Sequence, residues 1–296
     1  MPSPRPPSNK RFPGKPAARP PREPKAPPRV QPTTLWDYPS QSYPGLRSSK
    51  QGDEKYPGVT PSYVIWNLIQ RYTRPGDLVL DPFCGSGTTL DVAADTNRKA
   101  RGFDLAPVRP DIERADARQI PVDDNVANLV FIDPPYSTHI DYSDDPRCIG
   151  KLPAAEPAYF KAMNQVLAEC ARVLKPGGVL GIYVCDSYVH SGQHKGFFPI
   201  GFELYALASK LMQPLDIVAV TRRNKTLDAG NYRKAAEEQN FFLRGFNYLL
   251  LLQKPTPTKP ARKQTHKPGK RNRPRGGKGA IGAKGGSRPP RGAKSS

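Results

Sequence analysis

Two short motifs hold the residues whose types and spacing could do chemistry. The first, DPFCGSGTT, runs from Asp81 to Thr89 between a predicted strand and a predicted helix. Its glycines let the backbone turn sharply and approach a ligand without a side-chain clash, and the N-terminus of the following helix presents unpaired N–H groups. Because the spacing is GxG followed by TT, and not GxGxxG, the turn is not typical of a pyrophosphate site.

Two acids follow this turn at the ends of the next predicted strands. Asp104 ends the second strand, where an acid typically accepts hydrogen bonds from ribose hydroxyls, and Asp116 follows a third strand, where it could bind an adenine amino group. Because the carboxyl ends of parallel strands meet at one sheet edge, we expect both acids to lie beside the turn. The residues predicted to form this cofactor pocket are Asp81, Phe83, Gly85, Ser86, Gly87, Thr88, Asp104, Leu105, Asp116 and Ala117.

The second motif, DPPY, ends a fourth predicted strand with Asp133, Pro134, Pro135 and Tyr136. An exocyclic amine on adenine or cytosine is a poor nucleophile, because its lone pair is delocalised into the ring. Two acceptors aimed at its N–H bonds, the Asp133 carboxylate and the Pro134 carbonyl, would favour a tetrahedral nitrogen. The Tyr136 ring could stack on an extruded base. These four residues are therefore the predicted catalytic site for transfer to a base amine.

Alternating strands and helices must position both motifs. The apolar and turn patterns predict helices over 62–72, 88–97, 157–174 and 201–212. They predict seven strands, at 77–81, 100–105, 112–115, 128–132, 179–184, 217–221 and 246–252. Strands that alternate with helices form a mostly parallel, doubly wound sheet with helices on both faces, and the last two strands can close it as a hairpin. The predicted fold class is therefore α/β.

The two ends of the chain differ sharply in composition from its centre. Residues 1–30 carry eight Lys/Arg, one acid and eleven prolines, and residues 254–296 carry fourteen Lys/Arg and no acid. Such segments bury too little apolar area to fold alone, and their charge attracts polyanions, so we expect disordered basic tails that contact nucleic acid. The predicted organisation is a tail at 1–30, a linker or docking segment at 31–55, a catalytic domain at 56–254 and a tail at 255–296.

Composition also argues against several classes of protein. The sequence has no apolar run long enough to span a bilayer and no apolar N-terminal segment typical of a secretory signal. Its four cysteines show no CxxC pairing, which favours a reduced, cytoplasmic location, nucleoid-associated if the source is bacterial. Cys185, His190 and His194 have loosely zinc-like spacing, but two further ligands are not evident, so we predict no metal.

From about residue 56 to residue 253 the sequence resembles the amino-methyltransferases of DNA, which make N6-methyladenine or N4-methylcytosine. The resemblance rests on the two motifs, on Asp104 between them, and on the predicted helix at 62–72 with the RPGD segment after it. It implies a Rossmann-like methyltransferase fold with S-adenosylmethionine as cofactor. It also implies a site-specific DNA methyltransferase that extrudes a base and transfers the methyl group directly to an adenine or cytosine amine.

The sequence departs from that family in two places. The segment before the first helix reads YPGVTP over 56–61, where the family more commonly has HPTQKP. No large insertion provides a target-recognition domain, and the available room lies at 137–156 and 222–245. We therefore expect weak or short sequence specificity, read mainly by the second segment. The predicted nucleic-acid contacts are Arg222, Arg223, Lys225, Arg233 and Arg244.

Three other functions fit the same residues, and methylation of a small molecule or of a protein glutamine is the least favoured of them. RNA-modifying relatives methylate adenine or guanine amines with similar chemistry, and the basic Gly-rich C-terminal tail suits RNA as well as DNA. A nucleic-acid-binding protein with an inactive methyltransferase domain is a third interpretation, which the intact Gly85, Gly87, Asp104 and Asp133 oppose. The target base, a protein partner for targeting and the oligomeric state stay open.

Overall fold

The computed structural model describes residues 28–38, 41–45, 50–135, 140–189, 195–222, 227 and 229–257. The predicted tails beyond these ranges lie outside the described residues, as do the predicted catalytic Tyr136 and the predicted nucleic-acid contacts Arg223 and Lys225. No helix within the described part of the chain is long and apolar enough to cross a membrane. The described residues also contain no cluster of His, Cys, Asp and Glu suited to a metal ion.

A central sheet with helices on both faces forms the fold. Its strands, in chain order, are β1 (Leu35–Trp36), β2 (Leu78–Asp81), β3 (Lys99–Asp104), β4 (Ile112–Arg114), β5 (Ala127–Ile132), β6 (Leu174–Val184), β9 (Gln213–Thr221) and β10 (Phe246–Gln253). A separate hairpin consists of β7 (Ser187–Val189) and β8 (Gly196–Phe198). The helices are α1 (Ser62–Tyr72), α2 (Thr88–Asp95), α3 (Pro157–Val173), α4 (Ile200–Ala208) and α5 (Gly230–Glu238), with a 3-10 turn at Ile149–Lys151.

The strand order across the main sheet is β1-β9-β10-β6-β5-β2-β3-β4. All neighbours whose direction is described pair in parallel except β10, which runs antiparallel to both β6 and β9. The winding reverses between β2 and β5, and in open α/β sheets a ligand binds outside the carboxyl ends of the strands at such a switch point. The mostly parallel, doubly wound α/β sheet that the sequence predicts is confirmed.

Apolar side chains cover both faces of this sheet. On one face, α3 buries Tyr159, Met163 and Leu167 in a cluster that includes Leu80 and Ile132. On the other face, α1 buries its residues in a cluster that includes Val79, Leu129 and Phe131. Because β2 and β5 are covered on both sides, their ends are held rigidly, and the residues that follow them have a fixed starting point.

The prediction of seven strands in the sheet is wrong by one strand. β1 forms an eighth strand at the edge, where Leu35 pairs with Ala219 and Trp36 pairs with Val220 of β9. The Trp36 side chain is only 2% exposed, and its indole N–H donates to the Thr33 carbonyl at 2.7 Å. This pairing was not visible in the sequence, because two residues are too short to show a strand period.

The segment 222–245, in which the sequence predicts no helix or strand, contains the helix α5. Its N-cap residue makes no side-chain hydrogen bond, and Ala236 is its one buried residue, so neither a capping signal nor an apolar stripe indicated it. The β7–β8 hairpin was likewise not predicted. Both elements lie in the part of the chain that follows β6.

Candidate active site

A cleft of about 940 Å³, open to solvent, lies at the carboxyl ends of β2, β3, β4 and β5. Four parts of the chain form its wall: the segment before α1, the turn after β2, the ends of β3 to β5, and the segment before α3. Nine of the predicted cofactor residues line it, namely Asp81, Phe83, Gly85, Ser86, Thr88, Asp104, Leu105, Asp116 and Ala117. Asp133 and Pro135 of the predicted catalytic motif line it as well.

Strand register sets the separation of the two motifs. Asp81 pairs with Gly102, and Leu80 pairs with Val130, so Asp104 and Asp133 both lie two residues beyond the level of Asp81. They sit on the two strands that flank β2, and strands are about 4.8 Å apart, which places their backbones roughly 10 Å from each other. The cleft therefore holds an acid at either side of the turn.

Asp81 builds the turn through its hydrogen bonds. One carboxylate oxygen accepts from the Phe83 amide at 3.0 Å, and the other accepts from the Thr89 hydroxyl at 2.5 Å. Burial raises the pKa of Asp81 to about 7, against these two hydrogen bonds, which lower it. Although Asp81 lines the cleft, its two hydrogen bonds hold the turn after β2 against the start of α2, so this carboxylate stabilises the turn.

Gly85 and Asp104 face each other across the cleft wall. The Gly85 amide donates to one Asp104 oxygen at 3.0 Å, and the Ala106 amide donates to the other at 2.9 Å. Gly85 has φ +48, and a side chain there would meet the ring of Tyr56 at about 3.0 Å. Each carboxylate oxygen has a second lone pair, so Asp104 can still accept a hydrogen bond from a ligand.

Gly87, also predicted to bind the cofactor, does not line the cleft. It has φ +83 as the N-cap of α2, and a side chain there would meet the guanidinium of Arg109 at 2.4 Å. Arg109 is held over the end of the helix by Asp91, at 3.0 Å, and by Asp111, at 2.7 Å. Among the predicted cofactor residues that the structure describes, Gly87 is absent from the cleft wall, because it makes room for this arginine.

Asp116 reaches the cleft but is paired with Arg118. Its two oxygens accept from the Arg118 guanidinium at 2.9 and 2.6 Å. Burial raises the pKa of Asp116, but the hydrogen bonds from Arg118 outweigh it, and the net shift is downward. Arg118 also donates to the Arg147 carbonyl at 2.9 Å, so this pair ties the end of the cleft to the segment before α3.

Asp133 follows β5 and is bonded to a residue that sequence reasoning missed. One of its oxygens accepts a short hydrogen bond from the hydroxyl of Thr60, which lies 73 positions earlier. The other oxygen has no hydrogen-bond donor among the described residues. Burial raises the pKa of Asp133 to about 7, while the Thr60 hydroxyl lowers it. Pro134 is buried and is not part of the cleft wall.

Two tyrosines outside the predicted set close the cleft. Tyr56 lies against Gly85, and Tyr142 lies so near Gly58 that a side chain there would meet its hydroxyl at 2.9 Å. Burial raises the pKa of Tyr56 to about 12, and the Asp104 carboxylate adds to this shift. The departure from the family pattern at 56–61 pointed to this segment, whereas nothing in the sequence distinguished Tyr142.

The basic residues predicted to contact nucleic acid lie farther along the sheet edge. Arg222 donates to the Cys185 sulfur at 3.4 Å, and the Arg244 guanidinium lies over the Phe197 ring at 5.1 Å. Arg233, on α5, donates to the Leu227 carbonyl at 2.7 Å. The register places the first two at the same edge as Asp133, since Ile132 pairs with Ile182 on β6 and Thr221 pairs with Phe246 on β10.

Comparison with known proteins places this arrangement in a family. Two similar proteins are the DNA adenine methyltransferase YhdJ of Escherichia coli, 35% identical over 74 residues, and the type II methyltransferase M.BglII of Bacillus subtilis, 34% identical over 71 residues. The matched segments span 25% and 24% of this chain, and 24% and 20% of those relatives. A SAM-dependent methyltransferase structure from Methanosarcina mazei matches at a TM-score of 0.43, with 14% identity, over 64% of this chain and 98% of that one.

A family profile matches a larger share of the chain than either of these two relatives does. The profile of the N6_N4_Mtase family, described as DNA methylase, matches residues 7–112 and 127–281, which is most of the chain. It includes the turn after β2, the acid that ends β3 and the residues that follow β5. The chain belongs to the N6/N4 DNA methylase family.

Proposed function

We propose that this protein transfers a methyl group from S-adenosylmethionine to the exocyclic amine of adenine or cytosine in DNA. S-adenosylmethionine is the methyl donor of the family to which the chain belongs. The observation that carries the proposal is the single cleft that Asp104 and Asp133 share, with the turn after β2 between them. A cofactor and a base can therefore meet in one cleft.

The residues around the turn suit the cofactor. Asp104 would accept from the ribose hydroxyls, because its oxygens keep lone pairs after bonding the amides of Gly85 and Ala106. Phe83 and Leu105 offer apolar surface for a flat ring. Asp116 would accept from an adenine amino group, and Arg118 keeps it ionised for that role. When bound, the cofactor supplies an electrophilic methyl group.

Asp133 acts on the amine of the target base. Its second oxygen, which has no donor among the described residues, would accept one N–H of the base amine, while Thr60 holds the first oxygen in place. That hydrogen bond draws the nitrogen towards tetrahedral geometry and restores its lone pair. An aimed acceptor of this kind contributes about a hundredfold or more to a rate. Pro134 and Tyr136 are proposed to supply the second acceptor and the stacking ring.

Nucleic-acid contact falls to residues away from the cleft. Arg222, Arg233 and Arg244, together with Arg223 and Lys225, are proposed to hold the phosphates, and the basic tails add affinity that does not depend on sequence. A segment of this size presents few side chains to base edges, so the recognition site is expected to be short. A cytoplasmic, nucleoid-associated location and a partner that directs targeting belong to the same proposal.

One experiment tests the proposed activity. The full chain is incubated with methyl-labelled S-adenosylmethionine and, in parallel, with duplex DNA, single-stranded DNA and RNA of matched sequence. The products are then digested to nucleosides and separated. We expect the label in N6-methyladenine or N4-methylcytosine of DNA. Label found only in RNA would mean that RNA, and not DNA, is the substrate. Absence of label in all three nucleic acids would contradict the proposed activity.

A further inference from the structure

Exposed aromatic rings gather at one edge of the sheet beyond the cleft. Among the described residues, the aromatic side chains that are large, apolar and exposed all fall between positions 197 and 246. Four of them lie together at this edge, and we call them the aromatic platform: Phe197, Phe202, Phe242 and Phe246. Phe242 is 84% exposed and Phe202 is 61% exposed, which is unusual for rings of this size.

Two neighbouring side chains, Tyr248 and Arg244, each contact part of this set. Phe202 and Phe246 both pack edge-on against Tyr248, with centroids 5.8 and 5.1 Å away. The Arg244 guanidinium lies over Phe197 at 5.1 Å and donates to the Phe242 carbonyl at 3.0 Å. The platform is therefore built from the β7–β8 hairpin, the start of α4 and the start of β10.

A buried acid fixes the base of the platform. Asp186 is 7% exposed, and it accepts from the Tyr248 hydroxyl and from the Gly201 amide, both at 3.0 Å. A side chain on Gly201 would meet the Tyr248 ring at 2.5 Å, so α4 and β10 approach closely here. Asp186 therefore holds Tyr248 in place, and with it the side chain against which Phe202 and Phe246 pack.

The platform lies on the catalytic side of the sheet. Tyr248 pairs with Val184 at the end of β6, and Ile182 of β6 pairs with Ile132, the residue before Asp133. Two strand spacings separate β10 from β5, which is roughly 10 Å. This is a distance that a nucleic-acid strand with one base in the cleft would cover with the nucleotides next to that base.

The charges beside the rings favour a polyanion. No carboxylate among the described residues pairs with Arg222 or Arg244. The Nε atom of Arg244 is buried and has no hydrogen-bond partner within the described part of the chain. That buried N–H is out of reach of a ligand, but the two arginines carry positive charge with no carboxylate of the described residues paired to them, which favours an anionic oxygen beside them.

We propose that the aromatic platform binds single-stranded DNA, with unpaired bases that flank the target stacked on its rings and their phosphates on Arg222 and Arg244. The inference rests on the proposed function, and it adds the form of the DNA and the surface that holds it. Stacking on exposed rings does not depend on sequence, because every base has a flat face. It therefore also accounts for binding without a recognition domain.

A binding experiment on the full chain tests this surface. A fluorescent mixed-sequence oligodeoxynucleotide is titrated as a single strand and as a duplex, at several salt concentrations, with Phe242→Ala and the double variant Phe202→Ala/Phe242→Ala. We expect the removal of each ring to weaken single-strand binding by about fivefold to a hundredfold. The salt slope should stay unchanged, because the tails and arginines that set it remain. Duplex binding should change by less than about twofold, since paired bases do not reach the rings.

Matched controls make the result decisive. Leu215→Ala removes an exposed apolar side chain near the start of β9, at the end of that strand away from the aromatic platform. This variant should leave the affinities for single-stranded and duplex DNA unchanged. Phe242 is so exposed that its removal should not affect folding, which circular dichroism checks. Unchanged single-strand affinity in the double variant, or equal losses for single strand and duplex, would overturn the proposal.

Methyl transfer by the unaltered protein is measured separately, so the two proposals can fail independently. If the ring variants lose single-strand affinity while no DNA is methylated, the platform stands and the proposed activity fails. If DNA is methylated while the ring variants bind single strands normally, the activity stands and the platform fails.

Discussion

The two halves of the sheet edge differ in how completely their polar groups are satisfied. In the half formed by β2, β3 and β4, Asp81, Asp104 and Asp116 are each bonded to groups in or near the same turns. In the half formed by β6, β9 and β10, Arg222 and Arg244 have no carboxylate partner among the described residues, and large rings face solvent. We infer that the polar groups of the first half already have hydrogen-bond partners within the protein. In the second half, the arginines and exposed rings gain partners only when a ligand binds.

Asp133 lies where these halves meet, and its removal should have the largest effect. We expect Asp133→Ala to lower the rate of methyl transfer by about a hundredfold or more, because one aimed acceptor is removed. Cofactor affinity should stay nearly unchanged, since this acid is proposed to act on the base amine. Single-turnover rates and calorimetry measure the two quantities. Asp216→Ala, at an exposed position on β9, is the matched control.

A catalytically active Asp133→Ala protein would contradict the proposed site. A variant that lost cofactor affinity as well as rate would show that the two halves are not separable at this residue.

Asp104→Ala should affect only the half formed by β2, β3 and β4, where the cofactor is proposed to bind. Loss of the carboxylate removes an acceptor for the ribose and frees the amides of Gly85 and Ala106. We expect cofactor binding to weaken by about 1–3 kcal/mol, the usual cost of removing a hydrogen bond to a charged group. Calorimetric titration of the cofactor measures this. Unchanged affinity would show that Asp104 only shapes the turn, and Asp216→Ala again serves as control.

Removal of the arginines should act mainly on the half formed by β6, β9 and β10, although the positive charge of Arg222 also lowers the pKa of Asp133. In the double variant Arg222→Gln/Arg244→Gln, we expect DNA binding to weaken, with its logarithmic salt slope reduced by about 1 for each phosphate that is no longer neutralised. Cofactor affinity should not change, because neither residue lines the cleft. Binding titrations over a range of salt concentrations measure the slope. A slope equal to that of the unaltered protein would mean that these cations do not meet phosphates.

Thr60→Val should have the smallest effect, and it acts through pH. Burial raises the pKa of Asp133 to about 7, and the Thr60 hydroxyl opposes that rise. Because the ionised carboxylate is the acceptor, the rate should increase with pH through this pKa, and loss of the hydroxyl should move the midpoint to higher pH. We expect the rate at neutral pH to fall by less than about tenfold, and the difference to disappear at higher pH.

Thr60→Ser, which keeps the hydroxyl, should restore the original pH profile of kcat/KM. Superimposable profiles for the valine variant and the unaltered protein would mean that Thr60 does not act on the titration of Asp133.

The same contrast explains what could be predicted from the sequence. The turn from Asp81 to Thr89 and the acid at Asp104 are local patterns, and nine of the ten residues predicted to bind the cofactor line the cleft. The bond between Thr60 and Asp133 joins residues 73 positions apart, and no periodicity reveals such a contact. Gly87 lies against Arg109 and outside the cleft wall, and a glycine that accommodates an arginine looks the same in sequence as one that accommodates a ligand.

Sheet elements followed the same rule. Seven strands of the main sheet were predicted, while β1 was not, because it is two residues long and its pairing with β9 joins segments that are far apart in the chain. α5 escaped prediction since its polar sequence has no cap and no apolar stripe. Fold class therefore follows from local pattern, and the surface that meets the substrate depends on long-range topology.

The short strand β1 has a practical consequence for anyone who shortens this chain. A version that starts at residue 56, where the family motifs begin, would lack Leu35 and Trp36 and would leave the backbone of β9 unpaired along the sheet edge. Open edges of this kind recruit strands from neighbouring molecules and promote aggregation. Trp36 also fills space in the cluster beneath α1. β1 therefore covers the edge strand β9 and prevents it from pairing with a neighbouring molecule.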